Sequence, residues 1–391
     1  MLKLKLLLAT SLAATTLTMT AQADDPVKVG IVAPLSGPFS DYGQQFRQAI
    51  DAYQAQHGKS VGGHSVEFIY KDNGGPDPGR TRSVAQELIV QEQVDYLGGF
   101  VFTPNALAVA PLINKAKTPA VIFNAATSAI TQQSDYFVRT SYTTPQVSVP
   151  VAVYAKEEGI DKVVTLVTDY GPGIDAEQAF AKQFEKDGGE ILRSVRMPMN
   201  TTDFGPFVQG AKSEAPDAIY VFLPGGPPTY GFVKAYADNG LMEEGIRFLG
   251  TAETQELDLQ TLGSSALGLH TGFHYSQAHD SPENQAFLDS LHSLYPDAIA
   301  NWASVGAYDG AHVIYKMIEA TGGEKKPEAA VDAVKGLSWI SPRGPMMIDS
   351  DYRSPIQNVY MRKVVKGESG ELVNKEFKVY EEQPDYGRFE E

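Results

Sequence analysis

The chain has 391 residues, no cysteine, and a formal charge of −16 at pH 7 from 48 acidic against 32 basic side chains. Without cysteine there are no disulfides, no zinc–thiolate sites, no thiol nucleophile and no lipid-bearing N-terminal cysteine. The acidic balance argues against nucleic acid and anionic lipid as partners, although one pocket can differ from the surface around it.

Met1 to Ala23 reads as a secretory signal. Lys3 and Lys5 give the positive start, Leu6 to Ala14 a short apolar run, and Ala21-Gln22-Ala23 a small-x-small cleavage site, with cleavage expected after Ala23. The run is too short for a bilayer span and is followed by Thr15, Thr16 and Thr18. Export to the periplasm follows. Loss of two lysines and no acids takes the formal charge from −16 to −18. An exported chain without disulfides needs a sizeable core, and this length suits two domains.

Val27 to Ala33 is an apolar strand running into the turn Pro34-Leu35-Ser36-Gly37-Pro38. A helix from about Gln44 to Gln56 follows, then a strand over Val66 to Tyr70 and a turn at Asp72-Asn73-Gly74-Gly75. Thr81 to Gln91 places Val84, Leu88 and Ile89 on one helical face. Val94 to Phe100 is a strand, Asn105 to Lys117 a helix with a kink expected at Pro111, and Ala120 to Phe123 a strand. Strand and helix alternate, as in a doubly wound parallel sheet.

After a short extended run at Phe137 to Ser141 and a helix over Val149 to Glu158, the rhythm restarts. Strands are predicted at Val163–Thr168, Ile191–Met197, Ala218–Leu223, Arg247–Leu249 and Leu267–Phe273. Helices are predicted at Ala176–Lys186, Phe204–Ser213 and Tyr230–Asn239. From Ser281 the chain turns helical, to Leu294, then over Ala303–Thr321 and Glu328–Lys335. Met346–Ile348, Val359–Val364 and Phe377–Tyr380 read as strands, and residues 381–391 as a loose tail. The fold class is α/β, with two doubly wound lobes.

Two loops invite attention. Gly98 to Asn105 and Phe123 to Thr127 end neighbouring strands, where open α/β sheets place ligands. Thr103-Pro104 has the form of a helix start, whose free N–H groups attract an anion. Asn124 to Thr127 offers backbone and hydroxyl groups to the same anion. Either these loops hold a small molecule or they are ordinary strand-to-helix connections. Tyr170, in the loop Asp169-Tyr170-Gly171-Pro172-Gly173, either covers a ligand or packs on its own domain. Tyr42 and Glu253 sit in comparable loops with the same ambiguity. No phosphate loop, nucleophile elbow or dinucleotide glycine spacing is present. His270, His274 and His279 cluster in sequence, but at no standard metal spacing. No catalytic residue, cofactor or metal is expected.

Several segments in order make the chain resemble the periplasmic solute-binding proteins of ABC importers, of the branched-chain amino acid type. They are Val29-Gly30-Ile31-Val32-Ala33-Pro34-Leu35-Ser36-Gly37 with Tyr42-Gly43, Tyr70-Lys71-Asp72-Asn73, Asn124-Ala125-Ala126-Thr127, Asp169-Tyr170-Gly171 and Phe248-Leu249-Gly250. The resemblance spans the whole mature length. It implies lobes joined by a three-strand hinge, the first of residues 26–144 and 277–349 and the second of 145–276 and 350–380, closing on ligand. It implies a ligand carboxylate held near Phe102 and Thr103 and by the Ala125-Ala126-Thr127 turn. Tyr42 would line the side-chain pocket and Tyr170 would close over it.

Amino-acid binders of this type carry an acid after the Phe-x-Gly strand to receive the ammonium; here either Glu253 or Ala252 stands at that place. The loop at Phe102 lacks the usual serine run, and Leu223 to Tyr230 is proline-rich. These departures resemble the branch that takes aromatic carboxylates, and Tyr42, Phe102 and Tyr170 suit ring packing. The partners implied are a small carboxylate and an ABC permease in the inner membrane, with the protein a monomer. Two alternatives stay open: an amino acid as ligand, and a sensing role for a membrane receptor.

Overall fold

The computed structural model describes residues 25–388, so the secretory signal expected over Met1–Ala23 lies outside the described residues. The chain begins with β1 (Val27–Ala33), α1 (Ser40–His57), β2 (Ser60–Val61), β3 (His64–Asp72) and α2 (Pro78–Val90). It continues through β4 (Tyr96–Gly99), α3 (Thr103–Ala116), β5 (Ala120–Ile122) and β6 (Phe137–Arg139). These strands form a six-stranded sheet in the order β2-β3-β1-β4-β5-β6, parallel from β3 onward. β1 is apolar except at Lys28 near its start and is otherwise buried on both faces, as a central parallel strand must be when helices cover both sides.

The second lobe runs α4 (Thr144–Glu157), β7 (Lys162–Thr168), α5 (Gly171–Lys186), β8 (Glu190–Met197), α6 (Gly205–Ser213), β9 (Ala218–Phe222), α7 (Pro227–Asp238), β10 (Arg247–Gly250), α8 (Glu256–Leu262) and β11 (His270–Phe273). Three helices then return to the first lobe: α9 (Pro282–Leu294), α10 (Trp302–Thr321) and α11 (Pro327–Asp332). The buried faces of α9 and α10 share one core with α1 and β1. Finally β12 (Ser338–Ser341), β13 (Gly344–Ile348), β14 (Pro355–Lys366) and β15 (Leu372–Gln383) extend the second sheet antiparallel, in the order β12-β13-β14-β11-β10-β9-β7-β8 with β15 on β14. The two-lobed α/β architecture is the one expected. Residues 338–348, assigned by resemblance to the first lobe, hydrogen bond within the second sheet.

The chain crosses between lobes at 140–143, 274–281 and 333–337. Arg343, in the turn between β12 and β13, binds the first two of these crossings together. Its buried guanidinium pairs with Asp309 of α10 at 2.7 Å and donates to the carbonyl oxygens of Ser141, at 3.1 Å, and Thr140. It also lies 3.1 Å from Nδ1 of His274, a ring that burial and this cation keep neutral. One guanidinium therefore touches two of the three crossings and α10 of the first lobe.

The segment expected as a loose tail is ordered as far as Arg388. β15 runs to Gln383, and the Asp385 carboxylate is buried, accepting from Ser128 Oγ at 2.6 Å and Thr143 Oγ1 at 2.8 Å. Acid-rich composition suggested a solvated end; long-range pairing with β14 overrides it.

Candidate functional site

Each sheet reverses its winding once. In the first lobe β3 lies on one side of β1 and β4 on the other; in the second, β8 and β9 flank β7. Ligand crevices in open α/β sheets form outside the carboxyl ends of strands at such reversals. Here the two crevices face each other across the hinge.

In the first lobe, β4 ends at Gly99, whose φ is +108° and whose Cβ, if present, would lie 2.3 Å from the carbonyl oxygen of Val32. Only glycine permits that approach, and it sets the Phe100–Thr103 loop beside β1. Phe100 follows at φ 64°, a conformation non-glycine residues seldom adopt. α3 then starts at Thr103 with Pro104 in its first turn. On the other side, Asp72 accepts from the backbone N–H groups of Leu35 and Gly74, each at 2.8 Å, and from Ser36 Oγ at 2.7 Å. That carboxylate fixes the turn leading into α1 and so places Tyr42.

The cleft between the lobes is walled by Tyr42, Val101, Phe102, Thr103, Asn124 and Ala126, with Trp302 from α10 and Tyr142 from the first crossing. The second lobe supplies Tyr170, Pro172, Phe222, Leu223, Pro224 and Ala252. No side chain in this wall is charged. The rings form a collar. Tyr42 stands edge-on to Phe102 at 6.3 Å and to Trp302 at 6.2 Å between centroids, and Tyr170 lies 6.3 Å from Phe222. Trp302 is locked by its indole N–H, which donates to Asn124 Oδ1 at 2.7 Å, while Asn124 Nδ2 donates to the carbonyl oxygen of Val101 at 2.8 Å. The lobes are closed on each other: the Tyr42 hydroxyl donates to the carbonyl oxygen of Pro224 at 3.3 Å. Burial, with the nearby Tyr142, Asp258 and Tyr170 groups, keeps the Tyr42 hydroxyl protonated well beyond neutral pH, and burial does the same for Tyr142 and Tyr170.

Of the residues singled out in the sequence, Tyr42, Phe102, Thr103, Ala126 and Tyr170 share this cleft. Thr127 stands just behind it, its Oγ1 accepting from Thr103 Oγ1 at 3.1 Å and facing the start of α5 across the gap at Gly171. Ala125 does not reach the wall; it is buried, and its N–H donates to the carbonyl oxygen of Phe100 at 3.0 Å. Glu253 is also placed away from the wall, and Ala252 occupies the cleft position instead. The Glu253 carboxylate is fully buried, accepting from the backbone N–H of Leu223 at 2.9 Å and of Thr251 at 2.5 Å. Burial, only partly offset by those donors and by Arg362, raises it from 4.5 to about 7. It ties the ends of β9 and β10 together. Among the described residues, no intramolecular acceptor takes the backbone N–H groups of Thr103, Ala126 or Thr127.

Trp302 and Tyr142 escaped the sequence reading. Trp302 opens a helix 260 residues after Tyr42, and Tyr142 sits in a crossing with no strand to mark it. The signal available for Tyr142 was the capping box that follows, Thr143 with Gln146. The three histidines go separate ways: His270 stacks on Tyr154, His274 meets Arg343, and His279 pairs with Glu376 at 2.8 Å.

The profile of the periplasmic binding protein family matches residues 26–369. The chain belongs to that family. Within it, the chain is of the branched-chain amino acid solute-binding type, whose members bind solutes rather than transform them. The Leu/Ile/Val-binding protein homolog 6 of Brucella abortus (strain 2308) is 48% identical over 386 residues, covering 98% of this chain and 99% of its own. A solute-binding protein of an ABC transporter from R. palustris, crystallised with 4-hydroxybenzoate, is 51% identical with a TM-score of 0.91, over 93% of this chain and 100% of that one. Another, from Rhodopseudomonas palustris BisB5 in complex with 3,4-dihydroxy benzoic acid, is 40% identical with a TM-score of 0.88, over 93% and 99%. Among the described residues of this solute-binding protein, no helix is long and apolar enough to cross a membrane.

Proposed function

We propose that this solute-binding protein captures an aromatic carboxylate in the periplasm and hands it, chemically unchanged, to the permease of an ABC importer. One observation carries the choice of ligand. The cleft has rings, hydroxyls and unused amides but no acidic side chain to receive an ammonium group. Glu253, the candidate for that duty, is committed to two backbone N–H groups, and Asp258, beyond the wall, accepts from Tyr230 at 2.8 Å and Gln255 at 2.7 Å. Burying an ammonium there without a counter-charge is costly.

The carboxylate docks at the first-lobe wall, on the N–H groups of Thr103, Ala126 and Thr127 and the hydroxyl of Thr103. Charge-assisted bonds of this kind contribute about 1.5–3 kcal/mol each. The ring lies against Tyr42, Phe102 and Trp302. Tyr170 closes from the second lobe, and the Tyr142 and Tyr170 hydroxyls meet polar substituents. The two relatives crystallised with hydroxylated benzoates support this reading.

A thermal-shift panel tests it. 4-Hydroxybenzoate should raise the melting temperature, since a ligand at about 100 times its Kd adds about 2.7 kcal/mol. Leucine, isoleucine and valine should leave it unchanged. The reverse pattern would make the protein an amino-acid binder.

A further inference from the structure

The wall of the cleft is uncharged, yet a cation lies directly behind it. Arg139 ends β6 and is fully buried. Its Nη2 donates to the carbonyl oxygen of Thr127 at 2.6 Å, which puts the guanidinium against the back of the Ala126–Thr127 turn. Its Nε and Nη1 are buried with no hydrogen-bond partner among the described residues. Unsatisfied buried cationic nitrogens are expensive, and an edge strand of a parallel sheet has no need of one.

The acids whose charge reaches Arg139 are Asp385 and Asp175, and both also serve Ser128. Asp385 accepts from Ser128 Oγ, from Thr143 Oγ1 and, at 3.1 Å, from the N–H of Gly387; Asp175 accepts from the N–H of Ser128 at 3.3 Å. The charge of Arg139 also acts on Tyr142, which lines the cleft. Burial lowers its proton affinity only to about 10, so it stays charged at neutral pH.

We infer that Arg139 is the fixed counter-charge for the ligand carboxylate, acting through the Thr127 turn without touching the ligand. This role rests on the aromatic-acid reading above. Arg139 and the turn it holds belong to the same lobe, so the cation stays with the carboxylate site, and the protein interior shields it from salt. The cleft thereby selects an anion over a neutral molecule of the same shape, with no charged group to strip of water at each closure. Arg139 is a positioning and selectivity residue.

Calorimetry with 4-hydroxybenzoate and 4-hydroxybenzamide, the same ring with an uncharged head group, separates this role from a structural one. The wild type should prefer the acid by about 100-fold or more, and Arg139→Lys should keep most of that preference. Arg139→Met should bind the amide nearly as the wild type does, with the preference reduced to about tenfold or less. If both ligands weaken equally in Arg139→Met and the ratio holds, the role is overturned. A second measurement needs no variant: the wild-type ratio should survive a rise in salt from about 0.02 to 0.5 M, and its collapse would place the selecting charge at the surface instead. Should the wild type bind neither compound, the aromatic-acid reading itself fails and this role with it; acid binding with an unchanged ratio in Arg139→Met rejects the role alone.

Discussion

Thr103 and Thr127 share one hydrogen bond at the inner lip of the cleft, and only Thr103 reaches the wall. Removing the Thr127 hydroxyl leaves the Thr103 hydroxyl free to turn and loosens the start of α3. Thr127→Ala should weaken 4-hydroxybenzoate binding at least about tenfold by calorimetry, roughly one charge-assisted bond, while the melting temperature stays close to wild type. Glu253 makes the opposite kind of prediction, on stability rather than affinity. Its folded-state affinity for a proton, near pH 7, exceeds the ordinary value of 4.5 because it is buried. Between those values the unfolded chain releases the proton while the native protein keeps it, so stability falls as pH rises from 4.5 to 7 and then levels. Melting curves should show a steeper fall over that window in the wild type than in Glu253→Gln, which has no proton to lose. Parallel curves would mean that Glu253 does not titrate there. At this scale the sequence was half legible. Tyr42, Thr103 and Tyr170 announced themselves by standing in strand-to-helix loops, whereas Trp302 and Tyr142 come from a helix start and a hinge crossing that only the tertiary fold brings near.

Helix positions were readable, and so were the starts of α3 at Thr103-Pro104 and α9 at Ser281-Pro282, but other starts were not. The spacing placed α1, α4, α5 and α7 three to five residues late, because their first turns contain glycine, threonine or proline, which read as loop. In the structure α4, α5 and α7 have proline in the first turn, where the missing N–H costs nothing. α3 runs through Pro111 to Ala116, within one residue of the end the spacing placed. The start of α5 matters for function, since Tyr170 is the residue before it. Gly173 there packs so closely that a Cβ would lie 1.9 Å from the carbonyl oxygen of Thr168 at the end of β7. Gly173→Ala should push the first turn of α5 away from the sheet, costing about 1–3 kcal/mol in urea unfolding and weakening ligand binding, because Tyr170 moves with it. An unchanged unfolding midpoint would show that the helix start adapts freely.

The two-lobed plan was the clearest message in the chain, because the strand–helix rhythm restarts after Arg139 and each half builds its own buried sheet. What could not be read was how the halves are fastened. The Arg343–Asp309 pair joins residues far apart in sequence, and the last strand binds the end of the chain back across the first-lobe turn at Ser128. Such contacts leave no local periodicity. They fasten the lobes beside a cleft whose walls meet with Tyr42 touching Pro224 and Thr127 facing Gly171 across the closed gap. The central claim is that this gap holds an aromatic acid by its carboxylate against the first lobe. A crystal structure of the protein grown with 4-hydroxybenzoate tests it most directly. The account predicts carboxylate oxygens within hydrogen-bond distance of the Thr103 and Ala126–Thr127 amides, with the ring between Tyr42, Trp302 and Tyr170. A carboxylate turned toward the second lobe, or a ligand outside this cleft, would contradict it.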